Sequence, residues 1–316
     1  MRIKTEANFG LGSSILASQS LDSHARTAQS DGMIATHSRP AAAAPVDHPL
    51  LRALKSRPYP AVMGVLNITP DSFSDGGQFM APERALAQAR RMIAEGADII
   101  DIGAESTRPY GAEPISAEQE LQRLQPVLAA VVALGTPVSI DSMKSEIVAW
   151  ALGLGARIAN DVWGLQRDPA MADLIARHGA PVIVMHNREH ADPGIDIMQD
   201  IAAFFARSLD IAAQAGIPES HVVLDPGIGF GKTHEQSMMV LARLEQLRGF
   251  GLPLLVGASR KRFISTVGPS EPDQRLGGSI AAHLLAARAG ARIIRTHDVS
   301  ETVQALKVAA AIEDFR

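Results

Sequence analysis

Side chains that can bind ligands or stabilise charge follow the short apolar segments of this chain, one set after each segment. The segment 61–66 is followed by Asn67, and later segments end on further polar residues. These residues are Asp101, Asp141, Asn160, Asp161, His186, Asn187, Asp225, Ser259, Arg260, Lys261, Arg295, Thr296 and His297. Carboxylates, amides, guanidinium and imidazole groups together could hold a polar heterocycle and an anion. If the apolar segments are parallel strands, their ends meet on one face, and the pattern predicts a single active site.

Two of the acids are candidates for binding a heterocycle. Asp141 follows the apolar segment 138–140, Asp225 follows 222–224, and Asn160 lies between them in the chain. Two carboxylates and an amide can accept the N–H donors of a guanine-like or pterin-like ring, and carboxylates also stabilise a developing cation. Aspartate and asparagine are also common helix N-caps, so a structural role is the alternative. For Asp161 the structural role is the preferred interpretation.

Basic residues cluster after the last two apolar segments. Arg260, Lys261 and Arg262 follow the seventh, and Arg295 and His297 end the eighth. In parallel barrels the loops after strands 7 and 8 often bind phosphate, and arginine can bind two phosphate oxygens at once. The alternative for residues 260–262 is a solvated charged loop.

Asn67 is the candidate metal ligand. Its amide oxygen could contribute to a Mg²⁺ site whose remaining ligands are water and diphosphate oxygens. We therefore expect Mg²⁺ only together with a bound diphosphate.

The segment DPGIGFGKT at 225–233 differs from a nucleotide-binding phosphate loop in its spacing. Three residues separate Gly227 from Gly231, whereas the GxxxxGK[ST] motif requires four, so the pattern argues against an NTPase. We expect the glycines to allow tight turns and close approach of the backbone to a flat ligand. His186 is interpreted as a pocket wall in preference to a metal ligand, and Met185 as a packing surface for the ring.

Strand and helix patterns alternate from residue 61 to the end of the chain. The predicted strands are 61–67, 98–104, 137–141, 157–162, 181–186, 221–225, 253–258 and 292–296. The predicted helices are 82–95, 116–134, 144–154, 169–178, 196–215, 234–248, 276–289 and 300–312, with a short helix at 48–55 before the first strand. Eight strand–helix units predict a single (β/α)8 TIM barrel over residues 59–316, with a doubly wound sheet as the alternative.

Composition excludes several classes of function. A formal net charge of -4 gives no overall attraction to nucleic acid or to an anionic membrane. The absence of cysteine excludes disulfides and thiolate chemistry and suits a cytoplasmic protein. No apolar stretch is long enough to predict a membrane span. Residues 1–58 lack a sustained hydrophobic period, so we expect a poorly ordered, flexible N-terminal extension.

The motifs taken together resemble those of the dihydropteroate synthases of folate biosynthesis, in the same order along the chain. They are MGVLNITPDSFSDGG at 63–77, DIGAESTRP at 101–109, IDSMK at 140–144, NDVWG at 160–164, DPGIGFGKT at 225–233, SRKRF at 259–263 and RTHDV at 295–299. The resemblance covers nearly all of residues 61–315 and excludes the N-terminal extension.

The resemblance implies an enzyme that condenses 6-hydroxymethyl-7,8-dihydropterin diphosphate with 4-aminobenzoate and releases diphosphate. The pterin ligands implied are Asp141, Asn160, Met185, Asp225 and Lys261. The diphosphate ligands implied are Arg295, His297 and, through Mg²⁺, Asn67. Thr107 and Arg108, with the loop 71–75, would form the aminobenzoate pocket. The catalytic residues implied are Asp141, Lys261, Arg295 and His297. A homodimer and sensitivity to sulfonamides are further expectations of the resemblance.

Two other functions fit part of this pattern. A pterin-binding methyltransferase barrel would share the acidic pocket, but it does not need Arg295, His297 and the basic residues 260–262 as a diphosphate site. A pterin-binding paralogue without turnover is the second alternative. Arg262 and the segment 187–189 depart from the motifs common in the family, and both departures concern the aminobenzoate pocket.

Overall fold

A computed structural model of the chain describes residues 48–69, 81–105 and 114–315. The predicted flexible extension is residues 1–58, of which 48–58 are described and contain the predicted short helix, Pro49–Lys55. The rest of the extension is the segment 1–47, and the predicted aminobenzoate ligands Thr107 and Arg108 belong to the segment 106–113. Both segments lie outside the described residues, as does the loop 71–75.

Eight parallel strands form a closed barrel in which each strand pairs with the next and β8 pairs with β1. The strands are β1 (Ala61–Asn67), β2 (Ile99–Gly103), β3 (Val138–Asp141), β4 (Ile158–Asp161), β5 (Val182–Met185), β6 (Val222–Asp225), β7 (Leu254–Val256) and β8 (Ala291–Thr296). The predicted TIM barrel is therefore confirmed, and the doubly wound sheet is excluded.

Helices connect the strands around the outside. They are α1 (Pro49–Lys55), α2 (Ala81–Ala94), α3 (Ala117–Leu124), α4 (Leu128–Val132), α5 (Ser145–Gly153), α6 (Met171–His178), α7 (Ile197–Gln214), α8 (His234–Ala242), α9 (Arg262–Val267), α10 (Leu276–Arg288) and α11 (Val299–Glu313). None of the helices in the described part of the chain has the length and apolar character needed to cross a membrane.

Two helix predictions need correction, and one helix was missed. The predicted helix 116–134 is two helices, α3 and α4, because Pro126 between them has no backbone N–H to donate to the preceding turn. The N-terminus of α3 was predicted correctly, since Ser116 and Gln119 form the reciprocal capping box. The predicted helix 234–248 ends at Ala242 and is followed by a 3₁₀ segment, Leu244–Phe250. The short helix α9 was not predicted.

The interior of the barrel explains why one end is free for chemistry. A buried cluster inside the barrel contains one or two apolar side chains from most strands, and Leu51 of α1 belongs to the same cluster. The strand members are Ala61, Met63, Ile99, Ile158, Ile183, Val223, Leu255 and Ile293. A second and larger cluster fills the space between the barrel and the helices. Apolar packing and α1 thus occupy the N-terminal half of the barrel, and its C-terminal half is left for polar side chains.

Candidate active site

The predicted ligands occupy the layer directly above the inner apolar cluster. Side chains two residues apart on a strand point to the same face, so the residue two positions after an inward apolar residue also points inward. On five strands, an apolar residue of the inner cluster is followed two positions later by a residue of the polar layer. The pairs are Ile99 with Asp101, Ile158 with Asn160, Ile183 with Met185, Val223 with Asp225, and Ile293 with Arg295. One strand period therefore places charged groups from across the barrel at a single level.

Arg295 is the centre of a buried ion-pair network. Its Nε lies 2.6 Å from Asp101 Oδ2, and its Nη2 lies 2.7 Å from Asp141 Oδ2. The amide of Asn160 donates to both carboxylate oxygens of Asp101 at 3.2 and 3.3 Å. Burial opposes the positive charge of Arg295, but the two carboxylates outweigh it and raise the pKa of Arg295. Arg295 is thus held rigidly and stays charged.

A pocket at the C-terminal end of the barrel brings six of the sequence-predicted residues together, while Asn67 and His297 are not among the residues that line it. It is lined by the acids, the amide and the cations, together with apolar groups: Asp141, Asn160, Val162, Met185, Asp225, Gly227, Ile228, Phe230, Gly257, Lys261 and Arg295. The expectation that acids and bases share one end of the barrel agrees with this geometry.

The two acids of the pocket, Asp141 and Asp225, have higher pKa values than ordinary surface carboxylates. Burial raises the pKa of Asp141 to about 7, with Arg295 opposing the rise and Asp101 adding to it. Burial also raises the pKa of Asp225 to about 6, although Asp225 accepts a 2.8 Å hydrogen bond from Gly227 N. Within the described part of the chain, Asp141 Oδ1 is buried and has no hydrogen-bond partner. That oxygen can accept a hydrogen bond from a ligand in the pocket.

Lys261 reaches the pocket from the loop after β7. Its ammonium nitrogen lies 4.0 Å from the centre of the Phe230 ring, within the range of a cation–π contact. Phe230 belongs to the loop after β6, so this contact joins two loops that line the pocket. The pocket is therefore lined by the ammonium of Lys261 and the aromatic ring of Phe230 side by side.

His297 lies just past the end of β8, where its protonation is fixed by a neighbour. Its Nδ1 is 3.0 Å from Ser259 Oγ, and its backbone N–H donates to the same oxygen at 3.2 Å. Burial, together with the nearby charge of Arg295, lowers the pKa of His297 to about 3. If the serine hydroxyl donates to Nδ1, the neutral ring carries its proton on Nε2 and can donate one hydrogen bond from there.

Asn67 ends β1, half-buried, on the same face of the strand as Met63. Among the residues described here, no group of three or more His, Cys, Asp or Glu side chains could hold a metal ion. Asn67 thus offers one amide oxygen, which fits a metal that receives its other ligands from a substrate and water.

Two residues of the sequence pattern have structural roles. Asp161 accepts hydrogen bonds from Trp163 N at 2.9 Å and from Leu165 N at 2.7 Å, which agrees with the preferred interpretation of this residue. Arg260 binds Asp298 through Nε at 3.1 Å and Nη2 at 2.5 Å, so it braces the loop. Neither the anion-binding role nor the solvated loop expected for residues 260–262 describes Arg260.

His186 is neither a pocket wall nor part of a metal cluster in the described residues. It is fully buried, with Nε2 2.9 Å from Asp200 Oδ2 and Nδ1 2.7 Å from the ammonium nitrogen of Lys232. Lys232 belongs to the segment 225–233. The spacing of that segment argues against a nucleotide-binding loop, so the sequence alone assigns no role to this lysine. Burial lowers the pKa of His186 to about 4, and the charge of Lys232 adds to this effect.

Sequence reasoning placed Asp101 on the active face without giving it a role, and it missed Lys232. Asp101 follows the apolar pair Ile99 and Ile100 and had the same signal as Asp141, but only the barrel structure shows that it contacts Arg295. Lys232 has no such signal, because its partners His186 and Phe230 are determined by how the loop folds back.

Comparison with known proteins agrees with the fold and with the motifs. A family model described as "Pterin binding enzyme" matches residues 63–297. The dihydropteroate synthase of Bacillus subtilis is 42% identical over 268 residues, which is 84% of this chain and 93% of that protein. A crystal structure of the Xanthomonas albilineans dihydropteroate synthase with 4-aminobenzoic acid is 43% identical, with a TM-score of 0.78, and covers 81% of this chain and 93% of that one.

A second structure of the Xanthomonas enzyme contains 7,8-dihydropteroate. It is 41% identical to this chain, with a TM-score of 0.74, and covers 81% of this chain and 94% of that one. Both the family model and these relatives span the barrel and its polar layer. The chain therefore belongs to the family of pterin-binding enzymes, among the dihydropteroate synthases.

Proposed function

We propose that the chain condenses 6-hydroxymethyl-7,8-dihydropterin diphosphate with 4-aminobenzoate to give 7,8-dihydropteroate and diphosphate. Its membership of the family, and the relatives solved with 4-aminobenzoic acid and with 7,8-dihydropteroate, support this reaction. The observation that carries the proposal is the polar layer itself, in which buried carboxylates and an amide lie beside two cations in one pocket.

The pterin ring is the ligand that this pocket suits best. Asp225 and Asp141 present carboxylate oxygens, one of them without a protein partner in the described structure, and Asn160 presents an amide. A pterin offers several N–H donors on one edge and a lactam on the same ring, which these groups can satisfy. Met185 lines the pocket and provides an apolar surface for the ring face. Together these groups would fix the orientation of the exocyclic methylene carbon.

Catalysis then requires charge stabilisation on both sides of the breaking bond. The bond between the methylene carbon and the diphosphate oxygen breaks, and its electron pair leaves with the diphosphate. Asp141 stabilises the positive charge that spreads into the pterin, Lys261 binds the pterin, and Arg295 and His297 stabilise the departing anion. The amine lone pair of 4-aminobenzoate forms the new carbon–nitrogen bond, and the amine proton is released. Such preorganised groups are worth about 3–4 kcal/mol each.

We also propose that Mg²⁺ acts with the substrate diphosphate, with Asn67 as its protein ligand. When bound, the ion would neutralise part of the charge on the leaving group. The test measures the affinity of inorganic diphosphate by calorimetry, with and without MgCl₂, for the wild type and Asn67→Ala. We expect Mg²⁺ to tighten binding to the wild type at least tenfold and to the variant much less. An equal gain in both proteins would exclude Asn67 as a ligand.

The reaction is tested by mixing the enzyme with pterin diphosphate, with and without 4-aminobenzoate. We expect diphosphate release to depend on the amine and to equal the amount of dihydropteroate found by mass spectrometry. Release that depends on neither substrate, or an absence of dihydropteroate, would refute the proposal. The homodimer implied by the resemblance stays a prediction, which light scattering on the purified protein tests.

A further inference from the structure

The loop after β6 is pressed against the segment after β5, in a way that only glycine allows. Gly227 and Gly231 have φ values of +64° and +54°. A Cβ atom at Gly227 would lie 2.0 Å from the carbonyl oxygen of His186, and one at Gly231 would lie 2.4 Å from Arg188 Cβ. The glycines at these two positions thus permit contact with the protein's own chain, where the sequence predicted contact with a ligand.

Lys232 fastens this loop from inside the protein. Its side chain is buried, with only 3% exposed, and its ammonium donates to His186 Nδ1 at 2.7 Å and to the carbonyl oxygen of Phe230 at 3.1 Å. The same lysine therefore holds both the β5 end and the residue whose ring meets Lys261. Lys232 itself is not among the residues that line the pocket.

The hydrogen bonds of this cluster can be assigned without ambiguity. Asp200 is ionised and can only accept, so Nε2 of His186 carries the proton of the neutral ring and donates to it. Nδ1 then accepts from the amine of Lys232, whose pKa burial lowers to about 7. Nε2 donates to Asp200 Oδ2 at 2.9 Å, and Arg188 donates to the other oxygen of Asp200 at 2.8 Å. In the series Lys232, His186, Asp200 and Arg188, the donors are thus Lys232, His186 Nε2 and Arg188. The acceptors are His186 Nδ1 and the two carboxylate oxygens of Asp200. A buried lysine held in this way fixes a geometry that a hydrophobic side chain could not.

We propose that Lys232 is a positioning residue for the pterin pocket. It is anchored on His186, which Asp200 holds in turn, and it fixes the Phe230 carbonyl so that the Phe230 ring keeps Lys261 over the substrate. The proposal rests on the proposed function, because it assigns the purpose of this lysine to the pterin pocket. It concerns affinity for the pterin and not the chemical step. Lys232 does not touch substrate in this account.

The test replaces Lys232 by methionine, which keeps the length of the side chain and removes every donor. We expect KM for pterin diphosphate to rise about tenfold, the size of effect expected for losing an ordered cation–π contact, while kcat changes less than threefold. The dissociation constant of a pterin without diphosphate, measured by calorimetry, should rise by a similar factor. Because this second readout needs no turnover, failure of the proposed reaction would not be confused with failure of this inference. Lys307→Met, at an exposed position on α11, is the matched control.

Two variants of His186 keep the test decisive if Lys232→Met does not fold. In His186→Gln the amide can accept from Lys232 and donate to Asp200, whereas in His186→Leu neither bond can form. We expect the glutamine variant to keep the wild-type KM and the leucine variant to raise it about tenfold. A purely structural lysine would instead lower the melting temperature and leave the KM of the folded fraction unchanged. Unchanged KM and pterin affinity in Lys232→Met, or in His186→Leu, would overturn the proposal.

Discussion

Replacing Asp141 by asparagine removes one negative charge from the pocket and keeps the size and shape of the side chain. Asp141 is 8% exposed, and its Oδ2 lies 2.7 Å from Arg295 Nη2. The asparagine can still accept one hydrogen bond from Arg295, so the pocket should keep its form. What the variant loses is the charge that faces the developing cation.

The size of the effect follows from burial. A charge in a water-excluded site stabilises a transition state more strongly than a charge at the surface, and single preorganised groups contribute about 3–4 kcal/mol. This free energy corresponds to a decrease in kcat of about a hundredfold to a thousandfold. KM for pterin diphosphate should rise as well, because an asparagine whose oxygen accepts from Arg295 turns its NH2 towards the position where Asp141 Oδ1 can accept from the ligand. The decrease in kcat is the measure of the lost charge.

Asp161→Asn is a matched control. Asp161 is 2% exposed and ends the strand next to the one that Asp141 ends, but it accepts from Trp163 N and Leu165 N and does not line the pocket. We expect this variant to lower the melting temperature by several degrees, since a buried hydrogen bond is lost, and to keep kcat within about threefold of wild type.

Steady-state kinetics of dihydropteroate formation measures both variants, with circular dichroism to confirm folding. A folded Asp141→Asn variant with kcat within threefold of wild type would refute the role of Asp141 in stabilising the cation. An Asp161→Asn variant as slow as Asp141→Asn would show that loss of any buried acid at these strand ends slows the reaction.

Two further predictions concern the stability that depends on a buried histidine and the pterin binding that depends on a glycine. Burial lowers the pKa of His283 to about 4, so the unfolded state binds a proton first and the free energy of unfolding should fall as the pH decreases from about 6.5 towards 4. In urea unfolding, the difference in free energy of unfolding between pH 7 and pH 5 should be about 2 kcal/mol smaller for His283→Leu than for the wild type, while the exposed-site variant His178→Gln should keep the wild-type difference. An equal difference in the wild type and His283→Leu would contradict this assignment. Gly227→Ala should abolish pterin binding in calorimetry, since its Cβ would lie 2.0 Å from the carbonyl oxygen of His186. The control is Gly251→Ala, at φ +71° with no atom within 4 Å of the added Cβ, which should cost only about 1 kcal/mol of stability. Wild-type pterin affinity in Gly227→Ala would disprove the close contact.

The barrel could be predicted from sequence because each strand is a short β-rich segment with a clear boundary. Gly96 and Pro137 precede strands, and polar residues such as Asp141 and Asp225 end them. The predicted strand ends agree with the structure to within two residues. Helices were harder to delimit, because the apolar period continues through Pro126, where the hydrogen bonding is interrupted.

The sequence predicts which residues belong to the site, but it does not predict which of them contact one another. Asp141, Asn160 and Asp225 were found because they end strands, and closure of the barrel brings all strand ends to one face. The partners of Arg295 could not be found in this way, since they depend on which residues face one another across the barrel. The sequence suggested Arg295 as an anion ligand, and only the structure shows that the same guanidinium also contacts Asp101 and Asp141.

Lys232 illustrates the same limit for a loop. Its spacing from the glycines excluded a nucleotide loop, but its pairing with His186 depends on the path of the chain between residues 226 and 231. A lysine in a glycine-rich loop is ordinarily exposed, and only coordinates show that this one is buried.

Calorimetry of a pterin that lacks the diphosphate, with the wild type and Asp225→Asn, tests most directly the claim that buried carboxylates hold the heterocycle. We predict that the wild type binds this ligand and that the variant binds it at least tenfold more weakly, since a buried charge-assisted hydrogen bond is lost. Equal affinity in the two proteins, with the variant folded, would contradict the account.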